Sequence, residues 1–453
     1  MTDDITYLTI AEAGRRFRAG ALRPDPLVEA LLDRIDGQDG QVGAWVSVWR
    51  DEALAAARLA GAELAASYDR GPLHGIPIGV KDLIDVAGQP TLAGAPDLLP
   101  AHPADTDATV VTRLRAAGAI LLGKTQTHPL AMGTITPTTR NPWDLERVPG
   151  GSSGGSAAAL AAGMCLGALG SDTGGSIRLP AALCGVTGLK PTYGRVSRRG
   201  VLPLAWTLDH IGPLARSVED TGLLLQVLAG YDAADPRSVD TPIPDYLGEK
   251  DAGVDGLRIG RLVGPFTEGL HAAYPPALAA ATAALEQLGA LIADAELPYG
   301  REAPVLMEAI LPAEAATIHH ERLRRYPEHF HPTVAPRLAA GLQIPAASYL
   351  QAQRLREAMR GACLALFDRC DLLLAPADHQ PAPLVSSGTG ATTRFTAPFN
   401  LTGFPALALP CGFTDDGLPL GMQLIAAPWA ERTLIRAGCA YQGATRWHSR
   451  QPG

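Results

Sequence analysis

Acyl-transfer chemistry needs a nucleophilic hydroxyl or thiol, a base to take its proton, and hydrogen-bond donors for the oxygen that becomes negative. The chain concentrates such parts in residues 150–191. There G-G-S-S-G-G-S (150–156) and D-T-G-G-S (172–176) make two serine-glycine turns separated by a small, apolar, alanine-rich run. Glycine lets the main chain bend where a side chain would clash, which brings backbone N–H groups close to a reacting oxygen. A flexible linker is the plain alternative for glycine and serine together; the shortness of both turns and the apolar segments beside them argue against it. Within the first turn, Gly151-Ser152-Ser153-Gly154-Gly155 satisfies G-x-S-x-G, which would make Ser153 the nucleophile of an α/β-hydrolase elbow and require a downstream Asp and His. His210, His379 and His448 follow, none in a catalytic context, and so short a pattern recurs by chance. Lys81 is the other conspicuous residue, a lysine closing a short apolar run where a solvated surface charge is the ordinary expectation. The glycine-rich centre holds no phosphate-binding G-x-x-x-x-G-K-[ST] or G-x-G-x-x-G, and the six cysteines show neither C-x-x-C nor metal spacing. No metal and no cofactor are expected, and the cysteines read as buried thiols.

Positioning these groups takes a rigid frame. Residues 76–80 predict a strand, set off by Gly75 and carrying Lys81 at its end. Residues 156–163 predict a buried helix directly after the first turn, because alanine forms helix well and has nothing to keep it wet. Residues 26–35 and 52–66 have helical spacing. Residues 107–118 predict a helix with an Asp start, Val110, Val111 and Leu114 on one face and a glycine stop, followed by a buried strand over 119–122. Helix and short apolar strand alternate again around 257–262 and 371–375, which favours an α/β sheet covered on both faces by helices. A longer helix is predicted over 346–370, with Leu350, Leu355, Met359, Cys363, Leu366 and Phe367 as its core stripe, and another over 437–445.

Composition bounds the class. A chain of 453 residues with 47% hydrophobic and 19% charged residues is globular and can bury a sizeable core, and no repeat or linker divides it. The net charge of −8 without a Lys/Arg cluster excludes nucleic acid and anionic membrane as partners. The first ten residues carry Asp3 and Asp4 and no basic segment ahead of an apolar one, and the longest soft apolar run, 156–170, is too short and too rich in alanine and glycine to span a bilayer. A cytoplasmic protein acting on small molecules is the expectation.

The two turns, together with G-P-L-H-G-I-P-I-G-V-K-D (71–82), R-N-P-W-D (140–144), G-L-K-P-T-Y-G-R-V-S (188–197), L-D-H-I-G-P-L-A-R-S-V-E-D (208–220) and F-N-L-T-G-F-P-A-L-A-L-P-C-G-F (399–413), resemble the amidase signature family of serine hydrolases. The likeness is weakest between about 230 and 370. It implies one α/β domain over 1–453, a large mixed twisted sheet between helical layers, with a helical subdomain at about 265–370 over the active-site mouth. It also implies roles. Lys81 would be the base, Ser152 the relay and Ser176 the nucleophile, Ser152 and Ser176 standing 24 residues apart. The peptide Gly151-Ser152 would be cis. The N–H groups of Thr173, Gly174, Gly175 and Ser176 would form the oxyanion hole, with Asp172 and Arg178 as a supporting ion pair and His74 and His210 in packing or hydrogen bonding.

A lysine base must be neutral, whereas free lysine has a pKa of about 10.4, so burial would have to disfavour its ammonium. Residues 132–144 look short for the family, and P-A-D-H-Q (376–380) places charges where Thr or Pro is commoner. Met132, Ile135, Phe395 and Phe399 are expected to line an apolar acyl pocket, with Asp378 and Arg394 as a charged alternative. The resulting expectation is a monomeric or homodimeric hydrolase of a small hydrophobic or aryl amide, a carbamate or ester being open, with water as acceptor. The alternative within the family is the glutaminase subunit of a tRNA-dependent amidotransferase.

Overall fold

The computed structural model describes residues 4–453; Met1–Asp3, on which part of the N-terminal reading falls, lie outside the described residues. Eleven strands form one mixed sheet: β1 (Trp45–Val48), β2 (Pro77–Lys81), β3 (Ile120–Thr125), β4 (Gly167–Asp172), β5 (Thr187–Lys190), β6 (His210–Ala215), β7 (Arg258–Leu262), β8 (Leu291–Ala295), β9 (Leu372–Pro376), β10 (Ala406–Phe413) and β11 (Pro419–Ala426). Their order is β1-β3-β2-β4-β6-β5-β10-β11-β9-β7-β8. β2 runs parallel to both β3 and β4, which brings Lys81 and Asp172, the last residues of β2 and β4, to the same end of the sheet. The central strands are buried along their whole length and read as continuous small or apolar runs, as strands covered on both faces do.

The alanine-rich helix spans Gly154–Ala161, begins directly after the first turn and has every residue buried. Its small side chains let it sit against β4, where Ser156 Oγ donates to the Leu169 carbonyl at 2.9 Å. Close approach also explains a glycine: a Cβ on Gly155 would run into the Gln126 backbone nitrogen and lie 2.6 Å from the Ala44 carbonyl oxygen.

Three expectations shift. The predicted 107–118 helix is Thr109–Ala116, and Asp107 does not cap it; its carboxylate instead accepts from Ala87 N–H at 2.7 Å and pairs with Arg115 at 2.9 Å. The predicted 346–370 helix stops at Leu364, and Leu350 and Leu355 are 60% and 42% exposed. The buried face is Ala352, Met359 and Cys363, continued by Leu366. At about 100° per residue, Leu350 projects roughly opposite to Ala352, so the apparent stripe mixes two faces. Third, the region 265–370 is not wholly a cap, since β8 lies in the sheet and the Tyr274–Gln287 helix packs on β10 and β11. The helices that reach the serines begin at Ala303–Arg325 and continue with Ala335–Gly341.

Candidate active site

Lys81 ends β2 with its side chain fully buried, its Nζ 2.7 Å from Ser152 Oγ, 2.8 Å from Ser153 Oγ and 2.8 Å from Ser171 Oγ. Among the described residues no carboxylate touches it. Burial pushes its pKa well below the usual lysine range, opposed but not cancelled by the charges of Asp172 and Asp209. Its partners matter as much as its burial. Lys190, equally buried, donates to the Phe404 and Pro191 carbonyls, and Lys124 to the Ile84 carbonyl, Asp82 and the Thr91 hydroxyl; burial lowers both pKa values, but carbonyl and carboxylate oxygens only accept, and so favour the ammonium. Hydroxyls can donate back, so the Lys81 cage accommodates a neutral amine.

The three hydroxyls are not equivalent. Ser153 Oγ donates to the Ser171 carbonyl at 3.2 Å, and this hydroxyl is completely enclosed. Its proton is engaged and its side chain is shut away from solvent, so the elbow reading of Ser153 does not fit this geometry. Ser152 follows the cis peptide Gly151-Ser152. Among the described residues no acceptor other than the amine stands beside its hydroxyl, so its proton is not committed elsewhere.

Ser176 lies on the turn between β4 and the Arg178–Cys184 helix, and it faces a small cavity of about 40 Å³ with Met132, Thr173, Gly174, Met307 and Leu311. The backbone N–H groups of Thr173, Gly174, Gly175 and Ser176 find no acceptor among the described residues, whereas those of Ile177 and Arg178 are taken by Asp172 Oδ2. Four consecutive unpaired donors beside a serine hydroxyl are suited to an oxygen that gains negative charge. The turn is held by neighbours. Thr396 Oγ1 donates to the Gly174 carbonyl at 2.6 Å, and Gly175 has φ +143°, where an added Cβ would collide with the same hydroxyl.

Asp172 and Arg178 form a fully buried two-point ion pair at 3.0 and 3.1 Å. Asn400 and Gln423 complete it, accepting from the guanidinium at 2.7 and 2.9 Å, while Asn400 Nδ2 donates to Asp172 Oδ1 at 2.8 Å. Burial alone would raise the Asp172 carboxyl; the Arg178 charge and these hydrogen bonds outweigh it and hold the group well below the usual carboxylate range.

The histidines stand apart from this chemistry. His74 is bound by Glu63 at 2.9 Å. His210 donates through Nδ1 to the Leu208 carbonyl at 2.6 Å, its Nε2 is buried without a partner, and burial depresses its pKa strongly.

The pocket expectation is corrected in part. Met132 does border the cavity at Ser176, but Phe395 and Phe399 are fully buried and pack on Phe266 with ring centroids 5.8 and 6.3 Å apart, behind the site. Aromatic residues near a loop serve as core when neighbouring helices cover them. Ile135 offers its carbonyl to His128 Nδ1 at 2.7 Å and is not part of that wall. Asp378 is buried on His379, and Arg394 lies over the Phe395 ring. The charges at the mouth come instead from Glu308 and Arg337, paired at 3.3 Å on the cap helices. Nothing in their local sequence marks them, because they lie in the stretch where family likeness is weakest. Ser171 is a further member of the site that the motifs do not single out, although it stands five residues before Ser176 in the same segment. Among the described residues no cluster of His, Cys, Asp or Glu is arranged to hold a metal, and no helix is long and apolar enough to cross a membrane.

Comparison with known proteins agrees with this geometry. The Amidase family model matches residues 26–435. An amidase of Pseudomonas putida is 43% identical, covering 99% of this chain and 98% of that one. A glutamyl-tRNA(Gln) amidotransferase subunit of Chloroflexus aggregans is 40% identical over 99% of each chain. A solved structure of a vestigial protein complex, bearing on the origins of an s-triazine catabolic enzyme, superposes with a TM-score of 0.92 at 37% identity, covering 96% of this chain and 98% of that one. The chain belongs to the amidase family and is an amide-hydrolysing enzyme.

Proposed function

We propose that Ser176, Ser152 and Lys81 hydrolyse the amide bond of a small, largely apolar molecule through an acyl-enzyme, with water as the acceptor. The observation that supports it most directly is the Lys81 amine, buried without a counter-charge among hydroxyls and next to a serine turn with four free N–H groups. Ser176 Oγ attacks the carbonyl carbon while its proton passes through Ser152 to neutral Lys81. The oxyanion is held by the N–H groups of residues 173–176. Collapse breaks the carbon–nitrogen bond, and the Lys81 proton returns through Ser152 to the departing nitrogen. Water then attacks the ester, gives its proton to Lys81 by the same route, and releases the acid as the proton goes back to Ser176. Peptide mapping after reaction with a serine-directed phosphonate tests the assignment: mass is expected on Ser176, and label on Ser153 would overturn it.

A second reading has one observation in its favour. A glutaminase subunit recognises a zwitterion and needs fixed charges of both signs, which Glu308 and Arg337 supply at the mouth. Turnover of glutamine only when a second protein is present, with no hydrolysis of apolar amides by the chain alone, would establish that reading instead.

A further inference from the structure

A cavity of about 450 Å³, the size of a small-molecule site, lies against the nucleophile turn. It shares Ala131, Thr173 and Leu204 with the small cavity at Ser176, so the two adjoin beside the turn that carries Ser176. Val201, Leu202, Trp206 and Ile211 give it apolar walls.

Its charges are sorted by depth. At the floor Asp209 accepts from Thr173 Oγ1 at 2.7 Å and from the N–H groups of Leu204 and Ala205 at 3.0 Å each. In the wall Arg198 is balanced by Asp235, which accepts from its backbone N–H at 2.8 Å and lies 3.4 Å from its guanidinium. At the rim stand Arg199 and Arg237, both exposed, whose guanidinium groups make no hydrogen bond or ion pair within 4 Å among the described residues. Asp232 is near enough to feel Arg199, but its carboxylate already accepts from the Ser197 and Thr109 hydroxyls.

We infer that the substrate carries an anionic group, a carboxylate or similar planar oxyanion, held at the rim by Arg199 and Arg237 while its apolar body fills the chamber and its amide reaches Ser176. This rests on the reading of Ser176 as the acylated residue. The guanidinium fork matches a carboxylate, and Asp209 at the floor repels an anion that the rim attracts, so the charge order fixes which end of the molecule enters first.

The test uses matched acyl anilides, one bearing a para-carboxylate and one the neutral carboxamide, measured for binding to Ser176→Ala enzyme by calorimetry and for turnover by wild-type enzyme. The anionic member is expected to bind about tenfold more tightly, the advantage shrinking with added salt and collapsing in Arg199→Gln/Arg237→Gln. Equal binding of the two, or an advantage that survives the double substitution, overturns the inference whatever the turnover. Preferential binding of the anion without turnover of either upholds the rim site and counts against the reading of Ser176 as the acylated residue.

Discussion

Lys81 and Arg178 are both long basic side chains with no exposed surface, both stand beside the serine-glycine turns, and the fold treats them oppositely. Arg178 meets a carboxylate at two points and two side-chain carbonyls beyond it, so the pair is ionised, satisfied and has nothing left to exchange. Lys81 meets three hydroxyls and no anion, so its ammonium is disfavoured and its amine can take up and release a proton. Burial makes a cation structural when partners of opposite charge come with it, and reactive when they are withheld.

Removing Lys81 should have the largest effect on activity. Lys81→Ala is expected to lower kcat by about 10⁴-fold or more, close to the loss from Ser176→Ala, with the circular dichroism spectrum unchanged. If Arg178→Ala gave the same kinetic loss in an equally stable protein, the contrast between the two cations would collapse. Arg178→Ala should act on the fold instead. It strands a buried carboxylate, and thermal or denaturant unfolding is expected to show a loss of about 3–5 kcal/mol.

Ser152→Ala should cost less than Lys81→Ala, about 10²–10³-fold in kcat, because water can stand in for a hydroxyl that only relays a proton. Equal losses in steady-state assays would instead make Ser152 as indispensable as the base. The pH dependence sharpens the contrast further. The proposed mechanism needs the neutral amine, so kcat/KM should rise with pH and level off above an apparent pKa well below lysine's usual 10.4 or so. In Asp209→Asn the limb should move to lower pH, the smallest of these effects, because the negative charge that favours the Lys81 ammonium is gone. That carboxyl, raised by burial to about 6, is ionised only above that point, so the shift should be read where the limb lies above pH 6. A shift to higher pH would mean that Lys81 is not the titrating group.

The frame of this site was legible in the sequence because it is local. The short apolar run ending in Lys81, the small residues of the Gly154–Ala161 helix and the two serine-glycine turns each constrain the chain over a few residues, and motif likeness joined them into one site. The alternation of helix and strand announced an α/β sheet, but not its eleven-strand order, which depends on pairings such as β5 with β10 across more than two hundred residues. The walls were less legible. Phe395 and Phe399 have the composition of a pocket and the burial of a core, and only the position of Phe266 separates the two. Glu308 and Arg337 look like ordinary solvated helix charges until the fold sets them at the cavity that Ser176 faces. Lys124 and Lys190 show the same limit, since nothing in their neighbours along the chain reveals that they are as deeply enclosed as Lys81.

Ser171 gives the Lys81 cage a second outlet. In the proposed mechanism Ser152 carries the proton from the amine to Ser176, while Ser171, bound to the same nitrogen, also lines the 450 Å³ chamber. On that mechanism an acyl group on Ser176 would plug the first outlet, and the second would still border the chamber. The amine would then be a junction with a reaction branch and a drain, and the bulk could reset its charge between turnovers without reopening the covalent end.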